Sequence, residues 1–510
     1  MRNTILLISC LIVAASLSSC KKSFLEQTNP NAVSIDNNFQ TENDITLAVN
    51  GVYQALRSSN AIGEGARLWT DDRSDDFNST DNQSNNGEPF QFTAFSLVSS
   101  NTYLQSHWSA LYTPISRANL VLSAIDKIKF SNDSVKIRYL AEVKYIRALM
   151  YFHLVREFGG VPLVTERLGN TAQVDAITFR ATREAVYVQI VKDLTEVANS
   201  NLPRVQTAAN RGRVSLQAAN GLLGQVYLTM GTTLEGENST SHFNNAKMHL
   251  LACYNMRTFG QLFEIPFPDV FDVNKKATNP EIILQIVYRQ GDVNYSSSIA
   301  ANNQARGETI NSQFQSQGSG NAPSPDLVNE FETGDVRTTF SIKYASNAAV
   351  QNYFITKFRD NSAAAGVLGY GGNDWILMRY ADIILNLAEV HMHLGDNASA
   401  IQYLNMVRTR AGLPSYQEMM STSGYSSKYP TLKLAILHER RIELAFEHHR
   451  WHDLLRFFKP DELVAYFRAK NQAEYNNSPL TNITTKDYFF PIPLNEYKLN
   501  PEKMIQNPGY

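Results

Sequence analysis

A short polar segment near the N-terminus gathers the side chains that a sugar-cleaving site needs. Its four carboxylates, flanked by two rings, are Asp71, Asp72, Asp75 and Asp76, with Trp69 and Phe77 on either side. Glycosidases place two carboxylates across the scissile bond, and an apolar setting raises the pKa of one of them. Acids in a polar loop more often stay solvated, bind sugar hydroxyls or hold Ca²⁺. The segment therefore predicts a loop, and catalysis, sugar binding and cation binding are all possible roles for it.

The densest charged segment, residues 438–456, offers a second possible chemistry, metal binding. Its candidate ligands are His438, Glu439, His448, His449, His452 and Asp453. The zinc-protease spacing H-E-x-x-H is absent, because Arg440, Arg441 and Ile442 follow His438 and Glu439. Opposite charges three residues apart would instead pair along a helix. These pairs are Arg440–Glu443, Glu447–Arg450, Arg450–Asp453 and Asp453–Arg456. The pattern favours a structural ion-pair network, and no metal site or cofactor is predicted.

Other catalytic signatures are missing from the sequence. It contains no G-x-S-x-G elbow, no Walker A motif and no dinucleotide fingerprint. A net charge of −2 provides no basic field for nucleic acid. The absence of a complete catalytic set favours a binding protein.

The first twenty residues predict export and lipid attachment. Arg2 precedes an apolar run at 5–15, which is too short to span a membrane, and Leu17-Ser18-Ser19-Cys20 is typical of a lipobox. We expect a signal peptide at 1–19, a lipid on Cys20 and a tether at 20–40. Lys21 follows the cysteine where an aspartate would indicate the inner membrane, so the outer membrane is favoured. The alternative is an ordinary secretory signal with an accidental cysteine.

The elements that must position these residues are mostly helices. Apolar periodicity predicts helices that include 134–157, 180–198, 214–230, 375–394, 398–411, 431–449 and 451–470. A strand is predicted at 281–289, and long polar loops at 290–325 and 358–373. Small and aromatic residues recur at the spacing of tetratricopeptide helix pairs, as in Leu223-Gly224 with Tyr227 and Leu387-Ala388 with His391. Stacked helical hairpins are the expected scaffold.

Taken together, several motifs in order resemble the SusD/RagB family of outer-membrane nutrient-binding lipoproteins. They include Trp108-xx-Leu111-Tyr112-xx-Ile115-xx-Ala118-Asn119, Phe158-Gly159-Gly160-Val161-Pro162, Asp374-Trp375-xxx-Arg379-Tyr380-Ala381-Asp382, Glu439-Arg440-Arg441-x-Glu443-Leu444-Ala445-Phe446-Glu447 and Gln506-Asn507-Pro508-Gly509-Tyr510. The resemblance spans nearly all of the mature chain.

The resemblance implies a mainly α fold in which about four tetratricopeptide-like hairpins form a right-handed superhelical scaffold, with few short strands. It implies one domain over 41–510, with its scaffold at 41–260 and 375–470, a loop-rich ligand region mainly at 265–373 and an extended tail at 485–510. It also implies a non-catalytic lid, lipid-anchored at the cell exterior. This lid would bind glycan and deliver it to a SusC-like TonB-dependent transporter.

The family motifs do not place the glycan site, so candidates come from aromatic faces beside polar groups. They are Trp69, Asp72, Arg73, Asp75, Phe77 and Asn78 in the acidic segment, and Tyr295, Phe314 and Tyr370 in the later loops. Two rival functions remain: a surface glycosidase that uses paired acids such as Asp72 and Asp75, and a structural lid that binds no ligand.

Overall fold

The structure is a computed structural model that describes residues 39–77, 79, 81–234, 236, 238–475 and 480–510. The predicted signal peptide, the lipidation residue Cys20, most of the tether and Asn78 lie outside the described residues. Helix accounts for 54% of the structure and strand for 5%, which confirms the predicted mainly α, tetratricopeptide-like fold.

Twenty-one α-helices occur among the described residues. In chain order they are α1 Glu42–Ala55, α2 Phe90–Thr93, α3 Thr102–Ala124, α4 Asp133–Phe158, α5 Thr171–Ile177, α6 Arg183–Ala198, α7 Leu216–Thr233, α8 Ser239–Tyr254, α9 Phe267–Val270, α10 Ile299–Asn303, α11 Pro325–Val328, α12 Val336–Ser341, α13 Ala363–Leu368, α14 Tyr380–His393, α15 Asn397–Arg410, α16 Tyr416–Met420, α17 Ser423–Lys428, α18 Leu432–Glu443, α19 Arg450–Phe457, α20 Pro460–Arg468 and α21 Leu494–Leu499. Within this part of the chain, none of the helices combines the length and apolar character needed to cross a membrane.

In the part of the chain that the structure describes, four short strands form two antiparallel pairs. Strand β1 (Ile282–Ile286) pairs with β4 (Trp375–Arg379), and β2 (Ile342–Tyr344) pairs with β3 (Tyr353–Ile355). The strand predicted at 281–289 is present, but it is shorter than predicted and ends at Ile286. The predicted helix at 375–394 is wrong over its first five residues, which form β4. A short apolar run has no decisive periodicity, and pairing with a strand ninety residues away decided its conformation.

The long helices pack against their neighbours along the chain: α3 on α4, α4 on α6, α7 on α8 and α14 on α15. Gly224 shows why the repeat needs small residues. A Cβ atom at this position would lie 2.6 Å from Cγ of Leu250, so only glycine permits this approach of α7 to α8. Ala388 and Ala400 are likewise fully buried, on α14 and α15. The sequence prediction that these small residues lie where paired helices touch agrees with the observed packing.

Most of the charged segment 438–456 is buried, and many of its partners come from other elements. Arg440 binds Asp453 and Asp382 at 2.9 Å each, and Glu443 contacts Arg337 on α12 at 2.9 Å. Of the four predicted local pairs, Arg456–Asp453 forms, at 2.8 Å. The prediction of an ion-pair network is therefore correct, whereas the assignment of its partners was largely wrong. A buried charge needs a well-placed opposite charge, and here the fold mostly supplies that partner from another element rather than from the next turn of the same helix.

The chain is not helical between α18 and α19. Phe446 and His448 have φ values of +68° and +63°, in the left-handed region that an α-helix does not use. Helix α18 therefore ends at Glu443, six residues before the predicted end at 449, and α19 begins at Arg450. This turn directs the two helices, and the charges they carry, toward different partners.

Candidate functional site

The acidic segment predicted as a binding loop is part of the protein interior. Asp75 and Arg73 are fully buried, Trp69 is 2% exposed and Phe77 is 4% exposed. Asp72 is 9% exposed and forms an ion pair with Arg67 at 3.1 Å. Their rings and carboxylates have no open face for a polysaccharide, so the prediction of a surface sugar loop at 69–77 is corrected.

Asp75 is the centre of a buried charge cluster. Its carboxylate accepts from Arg450 Nε at 2.8 Å and from Tyr466 Oη at 2.6 Å, and it lies 2.9 Å from Lys470 Nζ. Burial alone would raise the pKa of Asp75, but the charges of Arg441, Arg450 and Lys470 outweigh burial and hold that pKa well below its ordinary value. Asp75 therefore joins the N-terminal segment to the C-terminal helices as a carboxylate that is ionised at neutral pH.

Aromatic packing completes this interior. Trp69 stacks on His107 with ring centroids 4.1 Å apart, and Phe77 meets the edge of Phe446 at 5.8 Å. Arg73 donates to the backbone oxygens of Phe92 and Asp487 at 3.2 and 2.9 Å. The sequence concentrates charges and rings in this segment, but the partners that bury them lie up to 414 residues away.

The aromatic candidates in the later loops are accessible. Tyr295 is 52% exposed and Phe314 is 41% exposed, while Tyr370 is partly exposed. Large exposed rings on loops are where a protein can stack against the apolar face of a sugar. We call Tyr295, Phe314 and Tyr370 the aromatic loop surface.

Two contacts bring these three loops together. Ser297 and Gly371 exchange backbone hydrogen bonds of 2.7 and 2.6 Å, which ties the Tyr295 loop to the residue after Tyr370. On the other side, Gly369 ends α13 with φ of +67°, and a Cβ atom there would lie 2.7 Å from the Phe314 ring. A glycine is required by both its backbone angle and this approach. These contacts place the three loops that carry the candidate rings beside one another.

Arg57 supports this surface, and sequence reasoning missed it. Its guanidinium lies 5.0 Å from the ring centroid of Tyr295 and 4.6 Å from that of Tyr288. A cleft of about 250 Å³ adjoins Tyr295 and is also lined by Tyr53, Arg57 and Arg213. These residues belong to helical and turn segments far from 295 in sequence, so no local pattern could have placed them at the site.

Polar side chains that can exchange hydrogen bonds with hydroxyl groups flank the rings. The exposed ones on the same loops include Arg289, Gln290, Asn294, Gln313 and Gln315. Asp360 orders this edge by accepting from Gln290 Nε2 at 2.6 Å and from the Gly372 backbone at 2.6 Å. The arrangement of exposed rings with amide donors and acceptors suits a partly hydrated, hydroxyl-rich ligand.

Two family models match the chain. Residues 339–510 match the SusD family model, and residues 23–228 match a model described as "Starch-binding associating with outer membrane". The protein belongs to the SusD/RagB family, which binds glycans without catalysing a reaction and is associated with the outer membrane. The family assignment confirms the prediction that the chain is not an enzyme.

Individual relatives agree over almost the whole length. "SusD-like protein P2" of Formosa agariphila is 27% identical over 99% of each chain. A solved structure called "Laminarin binding SusD-like protein" is 27% identical, with a TM-score of 0.73 over 92% of this chain and all of the other. Surface glycan-binding protein A of Bacteroides thetaiotaomicron, solved with laminarihexaose, has the same fold at 20% identity, with a TM-score of 0.73 over 92% of this chain and 100% of that chain.

Proposed function

We propose that this protein is a surface glycan receptor that binds polysaccharide on the aromatic loop surface and delivers it to a SusC-like TonB-dependent transporter. Cys20 carries the lipid that tethers residues 41–510, a single domain, to the outer membrane at the cell exterior. Laminarin is the first ligand to test, because a relative 27% identical over 92% of this chain bears that name.

The observation that carries the proposal is the grouping of three accessible rings by contacts between separate loops. Tyr295 is supported by Arg57 yet remains half exposed. An aromatic ring held in place loses little side-chain entropy when it stacks on a sugar, so the affinity that remains after the costs of association is larger. The alternative function, a glycosidase, would use Asp72 and Asp75 as its catalytic pair. Both carboxylates are buried, so a polysaccharide cannot contact them.

Affinity electrophoresis of the full chain in detergent tests the proposal against a panel of polysaccharides headed by laminarin. We expect one glycan to retard the wild-type protein and Tyr295→Ala to weaken binding about 10-fold, which corresponds to about 1.4 kcal/mol. Phe314→Ala should act in the same direction. Released sugar is assayed in parallel, and none is expected.

Tyr344→Ala is the matched control, because Tyr344 is also 52% exposed but lies on strand β2. It should bind like the wild type. Equal losses in Tyr344→Ala and Tyr295→Ala would contradict the proposed location of the site. If no glycan retards the wild-type protein, the receptor proposal fails and the structural-lid alternative is favoured.

A further inference from the structure

A cavity of about 100 Å³ lies between helices of the scaffold, and none of the rings of the aromatic loop surface lines it. Histidines from different elements line it, among them His153 on α4, His448 and His449 in the turn before α19, and His452 on α19. Glu157, one helical turn after His153, adds a carboxylate on the same face of α4. The volume is that of roughly three water molecules.

Three of these side chains have metal-binding geometry. One ligand atom from each of His153, Glu157 and His452 lies within 4.8 Å of the other two. Glu157 Oε1 is 3.3 Å from His153 Nδ1 and 3.6 Å from His452 Nε2. Two atoms that each bind the same zinc ion at about 2.0–2.1 Å lie about as far apart as Glu157 Oε1 lies from these two histidine nitrogens.

Independent evidence comes from the hydrogen bonding of the histidines. His452 is 6% exposed, and neither of its ring nitrogens has a hydrogen-bond partner among the described residues. His153 Nδ1 lies 3.4 Å from an Arg156 donor and 3.3 Å from the Glu157 acceptor, and one nitrogen cannot accept and donate at once. Buried polar atoms in this state are rare in proteins without a further ligand.

The surrounding groups favour neutral imidazoles and an oriented carboxylate. Burial lowers the pKa of His153 to about 4 and lowers the pKa of His452 well below its ordinary value, so both rings keep lone pairs at neutral pH. The second oxygen of Glu157, Oε2, lies 2.6 Å from His107 Nε2. His107 Nδ1 in turn lies 2.7 Å from the carbonyl of Asn60, which can only accept. This is the outer support that metal-binding carboxylates usually have.

We propose that His153, Glu157 and His452 bind one Zn²⁺ ion that joins α4 to α19, with water in the cavity as the fourth ligand. Two imidazoles and one carboxylate are a known zinc donor set. We assign the ion a structural role, because it would join two helices and because none of the rings of the aromatic loop surface lines the cavity.

Metal content and titration of the full chain in detergent test this site. We expect protein from zinc-supplemented culture to retain one Zn²⁺ per chain after gel filtration. After chelator treatment it should take up one Zn²⁺ in competition with a chromophoric chelator. His452→Gln should weaken uptake about 100-fold or more. His242→Gln, on α8 and outside the cavity, should behave like the wild type.

A Co²⁺ spectrum of the wild-type protein keeps the test decisive if His452→Gln fails to fold. Four-coordinate Co²⁺ absorbs visible light strongly, and one equivalent should saturate the signal. A wild-type protein that retains no Zn²⁺ and gives no such spectrum would show that the cavity holds only water. Unchanged uptake by a folded His452→Gln protein would also overturn the proposal.

Discussion

Replacing Arg379 with Met would test whether the buried ion pairs hold the family signature segment together. Arg379 is 1% exposed and donates to Glu447 Oε2 and Oε1 at 2.7 Å each. It also donates to Glu281 at 2.8 Å and to the backbone oxygen of Glu443 at 2.7 Å. Methionine has a similar length without charge, so the change removes these bonds and leaves little cavity.

The expected loss is about 3–5 kcal/mol, the range for removing one partner of a buried ion pair. The loss stays in this range because each carboxylate retains a second cation. Lys357 lies 2.6 Å from Glu447, and Arg410 contacts both Glu281 and Glu443. Arg138→Met is the control, since Arg138 is partly exposed and lies 3.8 Å from Glu142. It should cost less than about 1 kcal/mol.

Urea unfolding monitored by tryptophan fluorescence measures both variants, because all four tryptophans are at most 3% exposed. The effect should also depend on pH. Burial alone would raise the pKa of Glu447, but Arg379 and Lys357 lower it from 4.5 to about 2. The stability from this carboxylate is therefore present above pH 4.5 and lost as the pH falls through about 2.

Without Arg379 the pKa of Glu447 is less depressed, so the difference between wild type and Arg379→Met should shrink as the pH falls below 4.5. Adding Glu447→Gln to Arg379→Met should recover part of the lost stability, because it removes an anion left short of positive charge. A loss below 1 kcal/mol for Arg379→Met at neutral pH, or no recovery in the double variant, would refute this account.

Two further predictions concern packing and a buried histidine. Gly224→Ala should cost about 1–3 kcal/mol, because its Cβ would clash with Leu250, whereas Gly51→Ala, with no atom within 4 Å, should stabilise α1 by up to about 1 kcal/mol. Urea midpoints separate the two, and equal effects would contradict the packing argument. Burial alone would lower the pKa of His438, but hydrogen bonds to Glu330 and Glu332 raise it above 6.5. The stability lost in His438→Gln should therefore be greatest below pH 6.5 and should decrease as the pH rises through the raised pKa. A cost independent of pH would contradict this pairing.

The helical scaffold could be predicted because its signals are local. Apolar residues at helical spacing and a Gly159-Gly160 stop identified α4, which ends at Phe158 with Gly159 at φ of +74°. The small residue Gly224 marked a helix contact for a steric reason that holds wherever two helices approach closely. Family motifs spread along the chain then indicated the fold class.

The candidate site residues likewise fall into those that a local pattern predicts and those that depend on distant contacts. Tyr295, Phe314 and Tyr370 were recognisable because exposed loops with rings carry a compositional signal. The acidic segment has an equally polar composition, yet Asp75 is buried by Arg441, Arg450 and Lys470. Composition reports how polar a segment is, and it does not report whether a distant segment neutralises it.

By itself, then, the sequence determined the mainly α architecture, the family and the loops that present aromatic rings, because each depends on neighbours within a few turns or on ordered motifs. Only the tertiary structure decided which charges are core and which of the ring-bearing loops lie beside one another. It also decided that His452 from α19 meets His153 and Glu157 from α4 around one cavity. Contacts between residues about three hundred positions apart depend on how the helices pack, and local periodicity carries no record of that packing.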